Sequence, residues 1–202
     1  MKKTILSLAF ICCQIMCAGV FAQTPRSVLD RCAAAVSAPS GTTARFTMTS
    51  AQYGNSSGTI AVKGQKFYAQ TDKMSMWFDG TTLWTYMTQN DEVNVSTPTE
   101  QQLQTLNPYN FINLYRTGFT STMTTAATTY TVHLTANDAQ RKIKEAFVTV
   151  NKTSYAPQEI KMLQGNLWTT FTISGLKTES LDDSMFRFDR SSHPTAEIID
   201  LR

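Results

Sequence analysis

The feature that most constrains this chain is a two-residue alternation of apolar and polar side chains, which begins near Thr42 and recurs through most of the sequence. In its first occurrence Ala44, Phe46 and Met48 alternate with polar residues. Successive side chains of a β-strand point to opposite faces, so this period predicts strands with one apolar and one solvated face. Short turns separate the segments, which predicts antiparallel neighbours rather than parallel strands joined by helices.

The alternation predicts about ten or eleven short strands. Asp79-Gly80 predicts a two-residue type I′ turn between two of them, because both central positions of that turn need positive φ. Gln164-Gly165-Asn166 marks a second turn. After Thr42–Thr49, the predicted strands are Thr59–Val62, Lys66–Gln70, Met74–Phe78, Leu83–Met87, Glu92–Ser96, Thr128–Thr135, Ile143–Asn151, Gln158–Leu163 and Leu167–Ser174. Phe186, Phe188 and then Ile198–Leu201 close the chain as its terminal strand segment.

Three short helices are also predicted. The first has Thr24 or Ser27 as its cap and Pro25 near its start, and it ends near Pro39-Ser40-Gly41. Its apolar face comprises Val28, Leu29, Cys32, Ala35 and Val36. The second begins at Thr97-Pro98-Thr99-Glu100 with Leu103 and Leu106 on its apolar edge, and the third runs from Asn107-Pro108 through Phe111, Ile112, Leu114 and Tyr115 to Gly118.

A long antiparallel meander must either curl or split into two layers. Curling predicts a mostly β (α+β) fold, a strongly curved, incomplete antiparallel β-barrel whose short helices form a lid over a concave apolar face. Residues 120–129 are rich in threonine and are expected to connect two strands of one domain. The opposite, solvated face is also expected to be threonine-rich, with Thr47, Thr49, Thr81, Thr85, Thr131, Thr149, Thr170 and Thr172 on it.

Residues 1–22 are interpreted as a secretory signal peptide, with Lys2 and Lys3 before an apolar core and a small-residue cleavage site at Ala22. The mature chain, residues 23–202, has the length of one domain. Three of the four cysteines lie in the signal, so Cys32 is left alone and is expected to be a buried, unreactive thiol. Removing Lys2 and Lys3 lowers the formal net charge from +3 to +1, which favours neither a nucleic acid nor an anionic lipid as a partner.

The apolar face carries Met and aromatic side chains, which adapt to irregular shapes. Met74, Met76 and Phe78 fall on one face before the Asp79 turn, and Trp84 and Tyr86 share a face after it. An ordinary protein core has the same pattern, and periodicity alone favours a core over a ligand cavity.

Four segments resemble the LolA-like periplasmic carriers of outer-membrane lipoproteins, and their order and spacing agree over nearly the whole mature chain. They are Gly58–Phe67, Trp77–Tyr86 with its Asp-Gly and Leu-Trp-Thr-Tyr residues, Asn107–Tyr115, and Phe186–Asp189. Thr97–Tyr115 resembles the Bacteroidetes branch in particular. The sequence departs from the better-known members at Gly64-Gln65, where those have Arg-Pro with an arginine that holds the lid shut. This departure implies a different latch or a looser lid, and Lys63 or Lys66 is the alternative cation that could substitute for the arginine.

The resemblance implies a periplasmic carrier that binds the acyl chains of lipoproteins and shuttles them from the inner to the outer membrane. The implied partners are an inner-membrane ABC-type lipoprotein-releasing complex and an outer-membrane acceptor, with the carrier a monomer that needs no cofactor or metal. The residues expected to line the acyl cavity are Phe46, Met48, Met74, Met76, Phe78, Trp84, Tyr86, Leu103, Leu106, Phe111, Ile112, Leu114, Phe171 and Ile173.

No catalytic residue is predicted, because His133 and His193 lie outside any motif with a nucleophile, and the spacings typical of metal or phosphate sites are absent from the sequence. His133 is expected to point outward from its strand. Asp91-Glu92 and Asp182-Asp183 are expected in solvated turns rather than in metal sites. Two other functions remain open: a periplasmic sensor that binds a lipid or another amphiphile and regulates a protein partner, and an interaction domain without a ligand.

Overall fold

The computed structural model describes residues 23–52, 54–99, 102–103 and 115–202. Among these, it has one whole α-helix, α1 (Pro25–Val36), and twelve strands. The strands are β1 (Thr42–Ser50), β2 (Gly54–Lys63), β3 (Lys66–Thr71), β4 (Met74–Phe78), β5 (Leu83–Met87), β6 (Glu92–Ser96), β7 (Phe119–Thr125), β8 (Thr129–Ala136), β9 (Ile143–Asn151), β10 (Pro157–Gln164), β11 (Leu167–Thr178) and β12 (Glu197–Asp200). Two 3-10 helices, Asp183–Phe186 and Arg190–Ser192, lie between β11 and β12.

All twelve strands form one sheet in the order β12-β6-β5-β4-β3-β2-β1-β11-β10-β9-β8-β7. Neighbouring strands are antiparallel except β12 and β6, which run parallel. The first strand of the chain therefore lies in the middle of the sheet, between β2 and β11. The sheet is open, with β12 and β7 at its two edges.

The burial of the inward side chains requires this sheet to curl. α1 lies against β7 and β8, yet Phe67 of β3 and Phe78 of β4, far across the sheet, are at most 3% exposed. A flat sheet of twelve strands would be roughly 53 Å wide, and a helix of this length covers only about 18 Å. The inward faces therefore bury one another, which confirms the mostly β, curved and incomplete barrel that the alternation predicts.

Local sequence determines where α1 begins. The Thr24 side chain accepts a hydrogen bond from the Ser27 N–H at 3.1 Å, and Ser27 Oγ accepts one from the Thr24 N–H at 3.0 Å. Pro25 lies in the first turn, where its missing N–H has no helical partner to lose. Ala33, rather than Ala35, completes the buried face formed by Val28, Leu29, Cys32 and Val36.

Two predictions about individual elements are wrong. Residues 120–129 form most of β7 and the start of β8 instead of a connection, and β7 brings the count to twelve strands. Only Phe119 and Met123 of β7 are apolar and face inward, so its two-residue period is weak. Phe186, expected in a strand, ends a 3-10 helix because Asp182 caps that turn, accepting from the Ser184 N–H at 2.8 Å.

The turn between β4 and β5 also differs from the predicted type I′ turn. Phe78 pairs directly with Leu83, which leaves a loop of four residues. Asp79 Oδ1 accepts hydrogen bonds from the N–H groups of Thr81 and Thr82 at 3.0 and 2.9 Å. This Asx turn replaces the two-residue turn, while Gly80 keeps the positive φ expected of it, at 104°.

The predicted mid-chain helices fall mostly outside the described residues, so a lid of about three helices is not confirmed. The start of the first of them is described. Gln102 Oε1 accepts a hydrogen bond from the Thr99 N–H at 2.8 Å, and Thr99 Oγ1 accepts one from the Gln102 N–H at 3.3 Å. Such reciprocal bonds are a capping box, and residues 102–103 are helical.

After β11 the chain crosses the convex face of the sheet. Leu181 and Phe186 pack over Ala61 of β2, and Ala196 packs beside Val93 of β6. β12 then pairs with the outer edge of β6. We call residues 179–202 the C-terminal tail, and it covers the convex face behind β2 to β6.

Candidate functional site

The inward side chains divide into two groups that differ in how deeply they are buried. We call the inward residues of β8, β9 and β10, together with α1, the filled half. We call the inward residues of β1, β4 and β5 the open half. Both groups belong to, or pack against, one buried apolar cluster.

The protein's own helix closes the filled half. Val132, Val148 and Ile160 have no exposed surface, and Leu29 of α1 lies in the same cluster with 1% exposed. The Thr42 hydroxyl donates a 2.7 Å hydrogen bond to the Val36 carbonyl, which ties the end of α1 to the first strand. Side chains of this chain occupy the space, so the filled half serves as the structural core.

In the open half several inward side chains are only partly covered. Phe46 and Met48 of β1 and Met74 of β4 are half-buried and pack against the margin of the cluster. Met87 of β5 pairs directly with Met74 and therefore faces the same way. Phe46 lies beside Phe171 of β11, with ring centroids 6.3 Å apart. The result is a partly exposed apolar surface inside the curve of the sheet.

Burial of the inward apolar side chains decreases along the strands of the open half in one direction. On β4, Phe78 is 3% and Met76 9% exposed, while Met74 is half-buried. On β1 the buried Ala44 is followed by the half-buried Phe46 and Met48. The antiparallel register brings the less buried strand ends together, so we call the end of the sheet with Ser50, Met74 and Met87 the mouth.

Polar groups at the mouth satisfy one another. The hydroxyls of Ser50 and Thr169 are both buried and share a 3.0 Å hydrogen bond between β1 and β11. Because these two hydroxyls already bond to each other, they do not hold a ligand in one orientation. The open half therefore suits hydrocarbon, which needs area and adaptable shape but no directed bonds.

The structure places the predicted lining residues in three groups. Met76, Phe78, Phe171 and Ile173 face inward and belong to the buried cluster. Phe46, Met48, Met74 and Leu103 are partly buried and pack against it. Leu106, Phe111, Ile112 and Leu114 lie outside the described residues.

Trp84 and Tyr86 were predicted to line the cavity, and their placement is a correction. Directly paired residues share a face, and Trp84 pairs with Trp77 while Tyr86 pairs with Ser75. Both rings lie on the convex face and pack under the C-terminal tail with Phe188. Thr85, expected in solvent, points into the concave face because it pairs with Met76. Because the loop between them has four residues, the inward residues are even-numbered in β4 and odd-numbered in β5.

The cations beside Gly64-Gln65 hold the C-terminal tail. Lys63 and Lys66 contact Asp183 at 2.9 and 2.8 Å, and Lys63 Nζ also donates to the Leu181 carbonyl at 2.8 Å. Hydrogen bonds from Lys66 and Lys63 lower the pKa of the Asp183 carboxyl to about 2. Both lysines are therefore engaged with the tail on the convex face.

Tyr115 makes a contact that the sequence did not predict. It is 7% exposed, and its hydroxyl donates a short hydrogen bond to the Asp30 carboxylate of α1. Burial, followed by the bond to Asp30, raises the pKa of Tyr115. The hydroxyl therefore stays protonated and donates to Asp30. This hydrogen bond ties the end of the predicted lid segment to α1.

The remaining polar candidates do not form a reactive site. His133 faces outward as expected, stacked on Phe147 with ring centroids 4.2 Å apart and 3.3 Å from Glu145. His193, which belongs to the tail, packs against Tyr86 and Trp77. The described part of the chain has no group of three His, Cys, Asp or Glu that could hold a metal ion. Within the same residues, no helix is long and apolar enough to cross a bilayer.

Comparison with known proteins gives one family and several related folds. The family model of the outer membrane lipoprotein carrier protein LolA matches residues 18–166. An uncharacterized conserved protein from Thermus thermophilus superposes with a TM-score of 0.60 at 10% identity, over 88% of this chain and 99% of that one. This likeness shows a shared fold.

Two further solved structures are more distant. A LolA superfamily protein from Nitrosomonas europaea has a TM-score of 0.45 at 12% identity, over 83% of this chain and 99% of its own. A putative outer membrane lipoprotein-sorting protein domain from Vibrio parahaemolyticus has a TM-score of 0.46 at 10% identity, over 80% and 95%. No curated protein matches the chain in sequence.

Proposed function

The chain belongs to the LolA family of outer membrane lipoprotein carrier proteins, and from this membership we propose that it carries lipoprotein acyl chains on the open half of its concave face. The observation that supports the proposal is the set of half-buried inward side chains, Phe46, Met48 and Met74. Burying hydrocarbon against such a surface stabilises the complex by about 0.8 kcal/mol for each CH₂ group.

A carrier must also release what it binds. Met side chains are unbranched and adjust to irregular shapes, so they offer contact without a fixed geometry. Weak, undirected contacts from Met48, Met74 and Met87 would hold an acyl chain without the directed hydrogen bonds that make a complex specific. The cost of ordering the chain and moving a cover reduces the net affinity further.

The cover and the route are part of the proposal. Residues between Thr97 and Tyr115 would form the lid, anchored to α1 by the hydrogen bond from Tyr115 to Asp30. Residues 1–22 would direct the chain to the periplasm. There it would receive lipoproteins from an inner-membrane ABC-type complex and deliver them to an acceptor at the outer membrane.

Charge substitution in the open half tests the site. Met48→Glu and Met74→Glu each place a carboxylate where an acyl chain would lie, so affinity for a dansyl-labelled fatty acid should fall at least about tenfold. Met185→Glu is the matched control, because Met185 lies in the tail on the convex face with 36% of its surface exposed. Phe78 is unsuitable for this test, since a charge at a residue 3% exposed would unfold the protein.

Circular dichroism and thermal unfolding should show that all three variants remain folded. If both open-half variants bind the probe as the wild type does, the ligand does not lie on this surface. If Met185→Glu loses binding to the same extent, the effect is not specific to the concave face.

A second experiment separates a carrier from the two alternative functions. Protein purified from its host is extracted with organic solvent, and co-purified acyl chains are expected in the extract. A clean extract from a large amount of protein would favour an interaction domain without a ligand. A bound lipoprotein that is not handed on to acceptor vesicles would favour a sensor.

A further inference from the structure

We propose that the tip of the β10–β11 hairpin docks this protein on a lipid bilayer that carries anionic headgroups, with the mouth turned toward the membrane. The inference rests on the proposed function, because a carrier of acyl chains must reach a membrane to give them up. It adds a partner and a contact surface to that function.

Two large apolar side chains are exposed at this tip. Gln164 pairs directly with Leu167, so Gly165 and Asn166 alone form the turn, and Gly165 has the positive φ, 58°, of a first central position. Leu167 is 42% and Trp168 38% exposed. Such exposure on a tight, well-defined turn is expected of a contact surface rather than of a core.

The tip lies at the mouth of the open half. Thr169, next to Trp168, pairs with Ser50 at the end of β1, and Phe171 pairs with the half-buried Met48. Leu167 is four residues before Phe171 on one strand, a distance of about 13 Å. An acyl chain leaving the open half past Met48 would therefore emerge beside the exposed tip.

Positive charge lies beside the tip, on its β8–β9 side. The β8–β9 loop lies at the same end of the sheet, because Ile143 pairs with Gln164. Residues 137–145 and 161–168 together carry four cations, Arg141, Lys142, Lys144 and Lys161, against two carboxylates, Asp138 and Glu145. Lys161 Nζ lies 5.8 Å from the centre of the Trp168 ring. This balance complements an anionic headgroup layer.

Size and residue type favour a bilayer over a protein partner. A stable protein–protein interface needs roughly 800 Å² from each side, whereas two side chains on a narrow turn supply much less. Tryptophan prefers the boundary between headgroups and hydrocarbon, where its ring is buried and its N–H stays hydrated. Leu167 would then enter the hydrocarbon, and the cations would lie among the headgroups.

Flotation with vesicles tests the proposal. Full-length mature protein is mixed with vesicles of phosphatidylethanolamine and phosphatidylglycerol, and a salt-sensitive bound fraction is expected. The double variant Leu167→Ser with Trp168→Ser should reduce that fraction at least about fivefold. The double control Met185→Ser with Leu201→Ser removes two other exposed apolar side chains, 36% and 63% exposed, on the convex face and beyond β12, and it should float like the wild type.

Tryptophan fluorescence locates the contact. Brominated lipids should quench the wild type, and Trp168→Phe should remove most of that quenching, although Trp77 and Trp84 are retained. Equal flotation of the tip variant and the wild type, or unchanged quenching in Trp168→Phe, would overturn the proposal. Binding only to vesicles that contain outer-membrane proteins would also overturn it and indicate a protein partner.

The dansyl-labelled fatty acid, measured on the same samples, distinguishes the two proposals. The tip variant should bind the probe normally, because Leu167 and Trp168 lie outside the open half. Wild-type protein that binds the probe but not vesicles would contradict the docking proposal without contradicting the carrier function. Wild-type protein that binds vesicles but not the probe would contradict the carrier function instead.

Discussion

The filled half and the open half of the concave face are built from the same sheet but from different kinds of side chain. The filled half presents Val132, Val148 and Ile160, which are branched at Cβ and have few rotamers. The open half presents Met48 and Met74, which are unbranched and flexible. Side chains with few rotamers suit permanent packing against α1, and flexible side chains suit a ligand that binds reversibly.

The two halves also differ in what covers the convex face of the sheet behind them. Behind the open half, the C-terminal tail covers β2 to β6 and is held by the ion pairs of Asp183 with Lys63 and Lys66. Behind the filled half, the convex face carries His133, Phe147 and Trp168 without such a cover. The open half, whose concave face is only partly covered, is thus stabilised by the C-terminal tail packed on its convex face.

Leu29→Ala should have the largest effect on stability. Leu29 is 1% exposed between α1 and the filled half, so its removal leaves a cavity and should lower the free energy of unfolding by about 2–5 kcal/mol. Met48→Ala, in the open half, should cost no more than about 1 kcal/mol, because Met48 is only partly buried. Urea denaturation measures both, and equal losses would show that the two halves are packed alike.

Loosening the tail should have an intermediate effect, confined to the back of the open half. Asp183→Asn removes the ion pairs with Lys63 and Lys66, so hydrogen exchange of Leu181 and β2 should speed up while that of β8 and β9 stays unchanged. Asp72→Asn, in the turn between β3 and β4, is the control.

Acid should reproduce that loosening in the wild type. The pKa of Asp183 is lowered in the folded protein to about 2 from the ordinary value near 3.8. Its contribution is therefore present above pH 4 and is lost as the pH falls toward 2. Tail exchange that does not respond to pH over this interval would show that the lysines do not hold the tail.

The smallest expected effect is in chemical labelling, because Cys32 should not react in the folded protein. Burial in α1 raises the pKa of this thiol to about 12, so the reactive thiolate is scarce at pH 8. Maleimide should label it only after addition of urea, as followed by mass spectrometry. Rapid labelling without urea would mean that α1 leaves the filled half and that this half opens as well.

The alternation in sequence predicts eleven of the twelve strands. Phe46, Met48, Met74 and Phe171 alternate with polar residues in the sequence, and in the structure all four lie in or against the buried apolar cluster. Trp84 and Tyr86 were misplaced although the needed information was present, because an even loop after Phe78 puts even-numbered residues of β5 on the other face. β7 was missed because threonine and serine fill most of its positions.

The division into halves could not be predicted from the period of the pattern. Val148 and Met48 both occupy inward positions in their strands, but α1 packs at the β7–β8 side of the sheet, where Val148 is fully covered and Met48 is not. That location depends on tertiary contacts such as the hydrogen bond from Thr42 to the Val36 carbonyl. The lid residues Leu106, Phe111, Ile112 and Leu114 remain predictions.

Methionine methyl groups provide a direct measurement of where hydrocarbon binds. Protein labelled with ¹³C at the methionine methyls is titrated with a spin-labelled fatty acid, and paramagnetic broadening is read at each methyl by NMR. Met48, Met74 and Met87 of the open half should broaden, while Met162 of the filled half and Met185 of the tail should keep sharp signals. Broadening confined to Met185, or no broadening at any methyl, would show that acyl chains do not enter the concave face.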